Sequence, residues 1–156
     1  MTNVMRGERP DHECAIFDHG YSVDEYAVAH TIAAYRISSL VPEFQLKPEN
    51  VLDKFVAAFG GTDVDFPNHP TFSSAYRLVC SDQDEGVIRK MFSRSLCSLF
   101  EREQGWTIGG KGNWVGMYKH RILVESHKLS AFYEKKQGHR QGNRVGCSVG
   151  GMLNGF

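Results

Sequence analysis

The sequence predicts an α+β domain in which an antiparallel sheet is covered by helices on one face, in the order β-β-α-β-α-β-β-α. Three observations predict it. Apolar residues alternate in the first third of the chain, they recur at helical spacing in later stretches, and a glycine-rich centre divides the paired apolar runs of "WTIGGKGNWVGMY".

The first strand is "ECAIFDH", short and apolar-centred. The second is "YAVAHTIAAYRI", where Tyr26, Val28, His30 and Ile32 share one parity and small residues the other. Together they suggest an antiparallel hairpin turned through Gly20, Ser22 and Asp24. A 3.6-residue period through Val28, Ile32 and Tyr35 keeps a helix open as the alternative for the second run. After a turn-like "SSLVPE", the run "FQLKPENVLDKFVAAFGG" predicts a helix. Pro48 suits its first turn, Glu49 its positive end, and Val51, Leu52, Phe55, Val56 and Phe59 form one stripe. Gly60 or Gly61 closes it in a left-handed conformation.

"SAYRLVC" alternates and predicts a strand. "SDQDEGVIRKMFSRSLCSLFERE" has Asp82 and Glu85 at a capping-box-like spacing, then Ile88, Met91, Phe92, Leu96, Leu99 and Phe100 on a helical stripe. Ser93 could cap a second segment, so one bent helix and two consecutive short ones both fit. "WTIGGKGNWVGMY" reads as a hairpin, and "ESHKLSAFYEKKQ" as a last helix with Leu129, Phe132 and Tyr133 inward. A single domain over residues 1–137 and a Gly-rich, mobile tail over 138–156 follow.

Bulk properties narrow the function classes. A chain of 156 residues can bury roughly two thirds of its unfolded surface. Lys plus Arg number 18 and Asp plus Glu 18, so the formal net charge is zero and no global field collects phosphates. A nucleic-acid role is not expected; the basic stretch Lys135, Lys136, Arg140 and Arg144 reads as a helix end and a solvated tail. Cys14, Cys80, Cys97 and Cys147 form no CxxC pair, which predicts reduced thiols. The N-terminal residues lack an apolar signal core, and no run of about 18 apolar residues occurs, so a cytoplasmic location is expected.

The most distinctive stretch is "TDVDFPNHPTFSSAYRL", residues 62–78. Asp63, Asp65 and His69 are donors that could ligate a divalent metal, but their spacing matches no established motif. Ser73 or Ser74 with His69 and an aspartate has the residue types of a hydrolase triad, without a GxSxG elbow. The structural reading is that Asp63 or Asp65 accepts backbone N–H groups, Phe66 and Phe72 plug the core, and Pro67 and Pro70 stiffen the turn. Asp63, Asp65, Phe66, His69, Pro70, Phe72, Ser73 and Tyr76 are therefore the candidate functional or structural residues. Elsewhere, "GGKGNW" lacks the ending of a phosphate loop, and His30 reads as a packed strand residue.

With these residues in hand, "NVMRG", "AIFDHGY", "FQLKPENVLDK", "DVDFPNHPTFSSAYRL" and "DEGVIRKMF" together resemble an uncharacterised bacterial family. Its members carry a "DIDF--HP-FS--Y-L" loop in the same succession, and the likeness covers roughly residues 3 to 135. In several relatives this domain follows an apolar membrane segment, so the resemblance implies a cytoplasmic domain that can sit beside a membrane. The chain has "HGYSVDEY" where relatives tend to have a longer polar turn. No activity is established for the family, so the resemblance carries over no catalytic residue.

No motif in the chain is mechanistically sufficient for a reaction. The expectation is a non-catalytic soluble binding or interaction domain with no cofactor, no metal and an unidentified protein or small-molecule partner. Membrane contact would be indirect only. The alternative is a metal-dependent or serine hydrolase using Asp63, Asp65, His69 and Ser73. A homo-oligomer formed through an exposed edge of the N-terminal strands is the third expectation.

Overall fold

A computed structural model describes residues 2–9, 12–23, 26–50 and 61–125. Six strands and three helices occupy them: β1 Thr2–Arg9, β2 His12–Val23, β3 Tyr26–Pro48, β4 Thr62–Asp63, α1 Pro70–Ala75, β5 Tyr76–Cys80, α2 Glu85–Met91, α3 Arg94–Arg102 and β6 Trp106–Lys119. This overturns the α+β expectation of a sheet covered by helices in the order β-β-α-β-α-β-β-α. β3 alone, at 23 residues, exceeds the three helices, of 6, 7 and 9 residues, laid end to end. The fold is sheet-dominated and the strands are antiparallel.

β1, β2 and β3 form a meander, with β2 and β3 in unbroken register from Cys14↔Tyr35 to Val23↔Tyr26. The hairpin expectation for β2 and β3 holds, although both strands run closer to the turn than anticipated. The core takes the parity of Cys14, Ile16 and Ala33, whereas Val28 and His30 are buried on the opposite face. Nothing in the sequence marked β1, whose charged and polar composition lacks an alternating signal.

β3 is the spine of the sheet. One of its edges pairs with β2 over Tyr26–Tyr35 and then with β5 over Phe44–Pro48, while the other pairs with β6. Between the pairs Arg36↔Trp114 and Leu46↔Ile108, β3 advances ten residues while β6 advances six, so β3 carries four extra. That irregularity absorbs the "SSLVPE" stretch, expected as a free turn. Leu40 within it is 83% exposed. Inserted residues of this kind bend a strand and sharpen its twist.

The bend is large. Extended, the fourteen residues of β6 would span about 45 Å, yet the Lys119 ammonium at one end lies 5.0 Å from the Trp106 ring at the other. The β3/β6 ribbon therefore folds back on itself around Gly110–Gly112. Gly112 has φ 62, a left-handed value that glycine adopts without strain. Gly110 lies so close to the Phe44 ring that a Cβ would overlap it. The expected "WTIGGKGNWVGMY" hairpin is thus corrected: its two arms pair with β3 rather than with each other, because β3 bends at the same level and offers both of them a partner.

Both halves of the folded ribbon share one apolar cluster, with Val115 and Met117 from one arm of β6 and Ile108 from the other. α1, α2 and α3 add Phe72, Ile88, Phe92, Leu96, Cys97 and Phe100 to it. The α2–α3 stretch resolves into two short helices, and the Ser93 hydroxyl accepts the Leu96 N–H as the cap of the second. The capping-box expectation fails at α2: Asp84 is its N-cap, and Asp82 instead accepts the Thr62 hydroxyl. The chain leaves β6 through a turn and is fastened by Val124, whose N–H donates to Thr31 Oγ1 at 2.8 Å; that hydroxyl donates to Asp18 at 2.6 Å.

The expected helix after Pro48 falls mostly on 51–60, and the last helix, the basic stretch and the tail fall on 126–156; these lie outside the described residues. Pro48 itself closes β3. Among the described residues no helix is long and apolar enough to cross a membrane.

Candidate functional site

The distinctive loop is built up from β4. At Gly61 a Cβ would overlap the Cys80 carbonyl, so glycine permits the close approach that starts β4 against β5. Thr62 and Asp63 pair with Cys80 and Val79, and the Val64 N–H continues the contact to the Leu78 carbonyl at 2.7 Å. Among the described residues no backbone N–H donates to the Asp63 carboxylate, contrary to the sequence expectation. Its carboxylate meets Arg77 Nε at 3.2 Å, with both side chains about half exposed.

Arg89 of α2 fastens the next stretch. Its guanidinium donates to the Asp65 carbonyl at 2.5 Å, lies 5.6 Å from the centre of the Phe66 ring, and is itself held by Glu85 at 2.8 Å. Asp65 therefore contributes its backbone oxygen to the loop. Phe66 meets Phe72 edge to face at 5.5 Å. Pro67 and Asn68 make the turn, which the His69 N–H closes onto the Phe66 carbonyl at 2.8 Å. The Ser73 hydroxyl then accepts the Phe66 N–H at 2.8 Å and faces its carbonyl at 3.4 Å.

α1 opens with Pro70, which brings no N–H to a helix end where donors lack partners. His69 occupies the N-cap and its side chain makes no cap bond. The missing acceptor comes from α3. Glu101 Oε1 accepts the Phe72 N–H at 3.1 Å and lies 3.6 Å from His69 Nδ1. Sequence reasoning missed Glu101. The available signal was a proline-initiated helix preceded by a weak capping residue, which requires an acceptor from elsewhere in the fold.

Tyr76 begins β5 at 3% exposure, stacked on Phe72 at 5.5 Å and edge-on to Phe100 at 5.6 Å. Burial pushes its pKa up, and the Trp106 and Gly105 backbone partly offsets that push. Phe92, facing Phe44, Phe66, Phe72 and Phe100, joins these rings into one cluster.

The structure thus gathers Phe66, His69, Pro70, Phe72, Ser73 and Tyr76 around an aromatic centre and turns Asp63 and Asp65 to the surface. Asp63, Asp65 and His69 do not converge: no group of three His, Cys, Asp or Glu side chains is placed to hold a metal ion among the described residues. Cys80 and Cys97 are fully buried. Burial pushes both thiols up, Cys97 to about 11.

Beside Tyr76 lies an open cleft of about 430 Å³, where the end of β3, the last turn of α1 and the turn after α3 meet. Glu49, Asn50, Ser74, Gln104 and Gly105 line it with Tyr76. The Glu49 N–H donates to the Ala75 carbonyl at 3.0 Å, tying two of its walls together. Compared with protein-family models, curated proteins and solved structures, the chain matches none of them.

Proposed function

We propose that the chain is a non-catalytic binding or interaction domain. One observation carries this reading: the polar groups of the chemistry-capable loop hold the loop itself together. Asp63 meets Arg77, the Ser73 hydroxyl meets the Phe66 backbone, and His69 faces the same Glu101 oxygen that caps α1. A serine nucleophile needs its hydroxyl within hydrogen-bond reach of a base. Ser73 instead turns its hydroxyl to the Phe66 backbone, donating to the carbonyl at 3.4 Å and accepting the N–H at 2.8 Å.

The test treats the full chain with a fluorophosphonate serine probe, measures bound metal by elemental analysis, and melts the parent beside Ser73→Ala. The expected result is no labelling, no stoichiometric metal, and a Ser73→Ala variant less stable by about 1–2 kcal/mol, because the Phe66 N–H loses its acceptor. Labelling that disappears in a folded Ser73→Ala variant would overturn the proposal in favour of a hydrolase.

A further inference from the structure

We infer that the outer edge of β1 pairs antiparallel with the same edge of a second copy of the chain, setting Arg6 of each copy opposite Glu8 of the other. This goes beyond the binding-domain reading and is independent of it, since a hydrolase would pair its edges equally well.

Sheet order supplies the edge. β1 and β4 are the outermost strands in the order β1-β2-β3-β5-β4, and among the described residues neither has a neighbour on its outer side. β4 is two residues long, and short edge strands resist pairing, whereas β1 is eight. β1 keeps an unbroken register against β2 from Val4↔Phe17 to Arg9↔His12, and Val4 is 54% exposed.

The register fixes which backbone groups point outward. Only two residues separate the paired Val23 and Tyr26, and a pair that closes so short a hairpin is hydrogen-bonded. Alternation along β2 then turns the backbone groups of Tyr21 and His19 toward β3, and those of Ile16, Cys14 and His12 toward β1. Their partners Met5, Gly7 and Arg9 therefore face β2, which leaves the N–H and C=O groups of Val4, Arg6 and Glu8 facing outward.

A second copy must match outward residues to outward residues. Centred on Arg6 or on Glu8, the pairing sets like charges opposite one another at its axis, which destabilises it. Centred on Met5, it forms no pair of opposite charges. Centred on Gly7, it sets Arg6 opposite Glu8 on both sides of the axis, and each such pair exchanges both N–H···O bonds. The axis then passes through a glycine, at the kind of pair where two backbones approach most closely.

A second observation comes from the cross-strand row through Glu8. Glu8 stands opposite Glu13 in the β1/β2 register, and the Glu13 carboxylate meets Arg36 of β3 at 3.4 Å. The row thus reads Arg36, Glu13, Glu8, with like charges adjacent at its outer end, an arrangement that costs stability. Arg6 of a second copy takes the next position and restores the alternation of sign. Arg6 itself stands opposite Ala15, so its register position on β2 offers no acid. The zero formal net charge adds no long-range repulsion between copies.

Sedimentation velocity on the full chain between about 10 µM and about 1 mM tests this, since an edge this short buries less than the roughly 1,200 Å² of a standard interface and pairs weakly. Parent, Arg6→Glu and Glu8→Arg are run alone, and the two variants are then mixed in equal amounts, with far-ultraviolet circular dichroism confirming that each is folded. The inference expects the parent to dimerise as concentration rises. Either variant alone should associate at least about tenfold more weakly, because each sets like charges opposite one another. The equal mixture restores an arginine opposite a glutamate at both positions and should associate as tightly as the parent. A parent that stays monomeric to about 1 mM, a folded variant that associates as tightly as the parent, or a mixture of folded variants that fails to recover would overturn the inference. The parent's association should also weaken in about 1 M salt, which screens charges at a sheet edge, and an unchanged constant would overturn it whether or not the variants fold.

Discussion

Removing the carboxylate of Glu101 should unlatch α1 from α3. Glu101 Oε1 accepts the Phe72 N–H at 3.1 Å, and Phe72 is only 1% exposed at the centre of the aromatic cluster. A hydrogen bond to a charged acceptor contributes roughly 1.5–3 kcal/mol. The Glu101 side chain is 25% exposed, so water replaces part of that contribution, and about 2 kcal/mol is expected for Glu101→Ala. Glu101→Gln keeps a neutral acceptor and should lose about 1 kcal/mol. For a chain of this size each kcal/mol corresponds to about 2–4 °C in Tm. Thermal melts followed by near-ultraviolet circular dichroism should therefore place Glu101→Ala about 4–8 °C below the parent, with Glu101→Gln between. An alanine variant melting within about 1 °C of the parent would refute the claim that α1 depends on a cap supplied from α3.

Gly110→Ala should destabilise the fold by about 1–3 kcal/mol, since its Cβ would overlap the buried Phe44 ring, whereas Gly109→Ala meets only the Phe44 carbonyl at 3.6 Å and should be tolerated better; urea unfolding of the two variants checks the contrast. Asp63→Asn should change stability by less than about 1 kcal/mol, because the Arg77 pair is about half exposed; a larger drop in the same assay would mean a buried role that the pair does not have. Cys97 holds its proton up to about 11 in the native state against 9.0 ordinarily, so above pH 9 the unfolded chain binds fewer protons than the native one. Its contribution is complete below pH 9 and is lost as pH rises through about 11, on the order of 2 kcal/mol; Cys97→Ala should flatten that fall in urea-unfolding free energies measured from pH 8 to 11.

Part of the fold was legible because local chemistry and tertiary structure agree there. The alternation of "YAVAHTIAAYRI" and "SAYRLVC" gave strands, and Ser93 divided α2 from α3 as its capping chemistry requires. The aromatic plug of Phe66 and Phe72 was readable from two large rings flanking a proline turn. The glycines near residue 110 correctly marked a change of direction. They could not reveal the partner strand, since a hairpin and a ribbon folded with its neighbour place the same demands on Gly110 and Gly112.

By itself the sequence determined where the backbone must turn, which residues are apolar enough to be buried, and that Phe66 and Phe72 flank a proline turn in "TDVDFPNHPTFSSAYRL". Such properties depend on φ restriction, side-chain hydrogen bonds to nearby backbone, and hydrophobic period, all of which act over a few residues. Only the tertiary structure decided that β3 is one 23-residue spine, that Arg77 neutralises Asp63, that Glu101 caps α1 from 29 residues away, and that Tyr76 floors a cleft between three chain segments. These features depend on pairings whose partners are distant in the chain, and local propensity is blind to which distant partner wins.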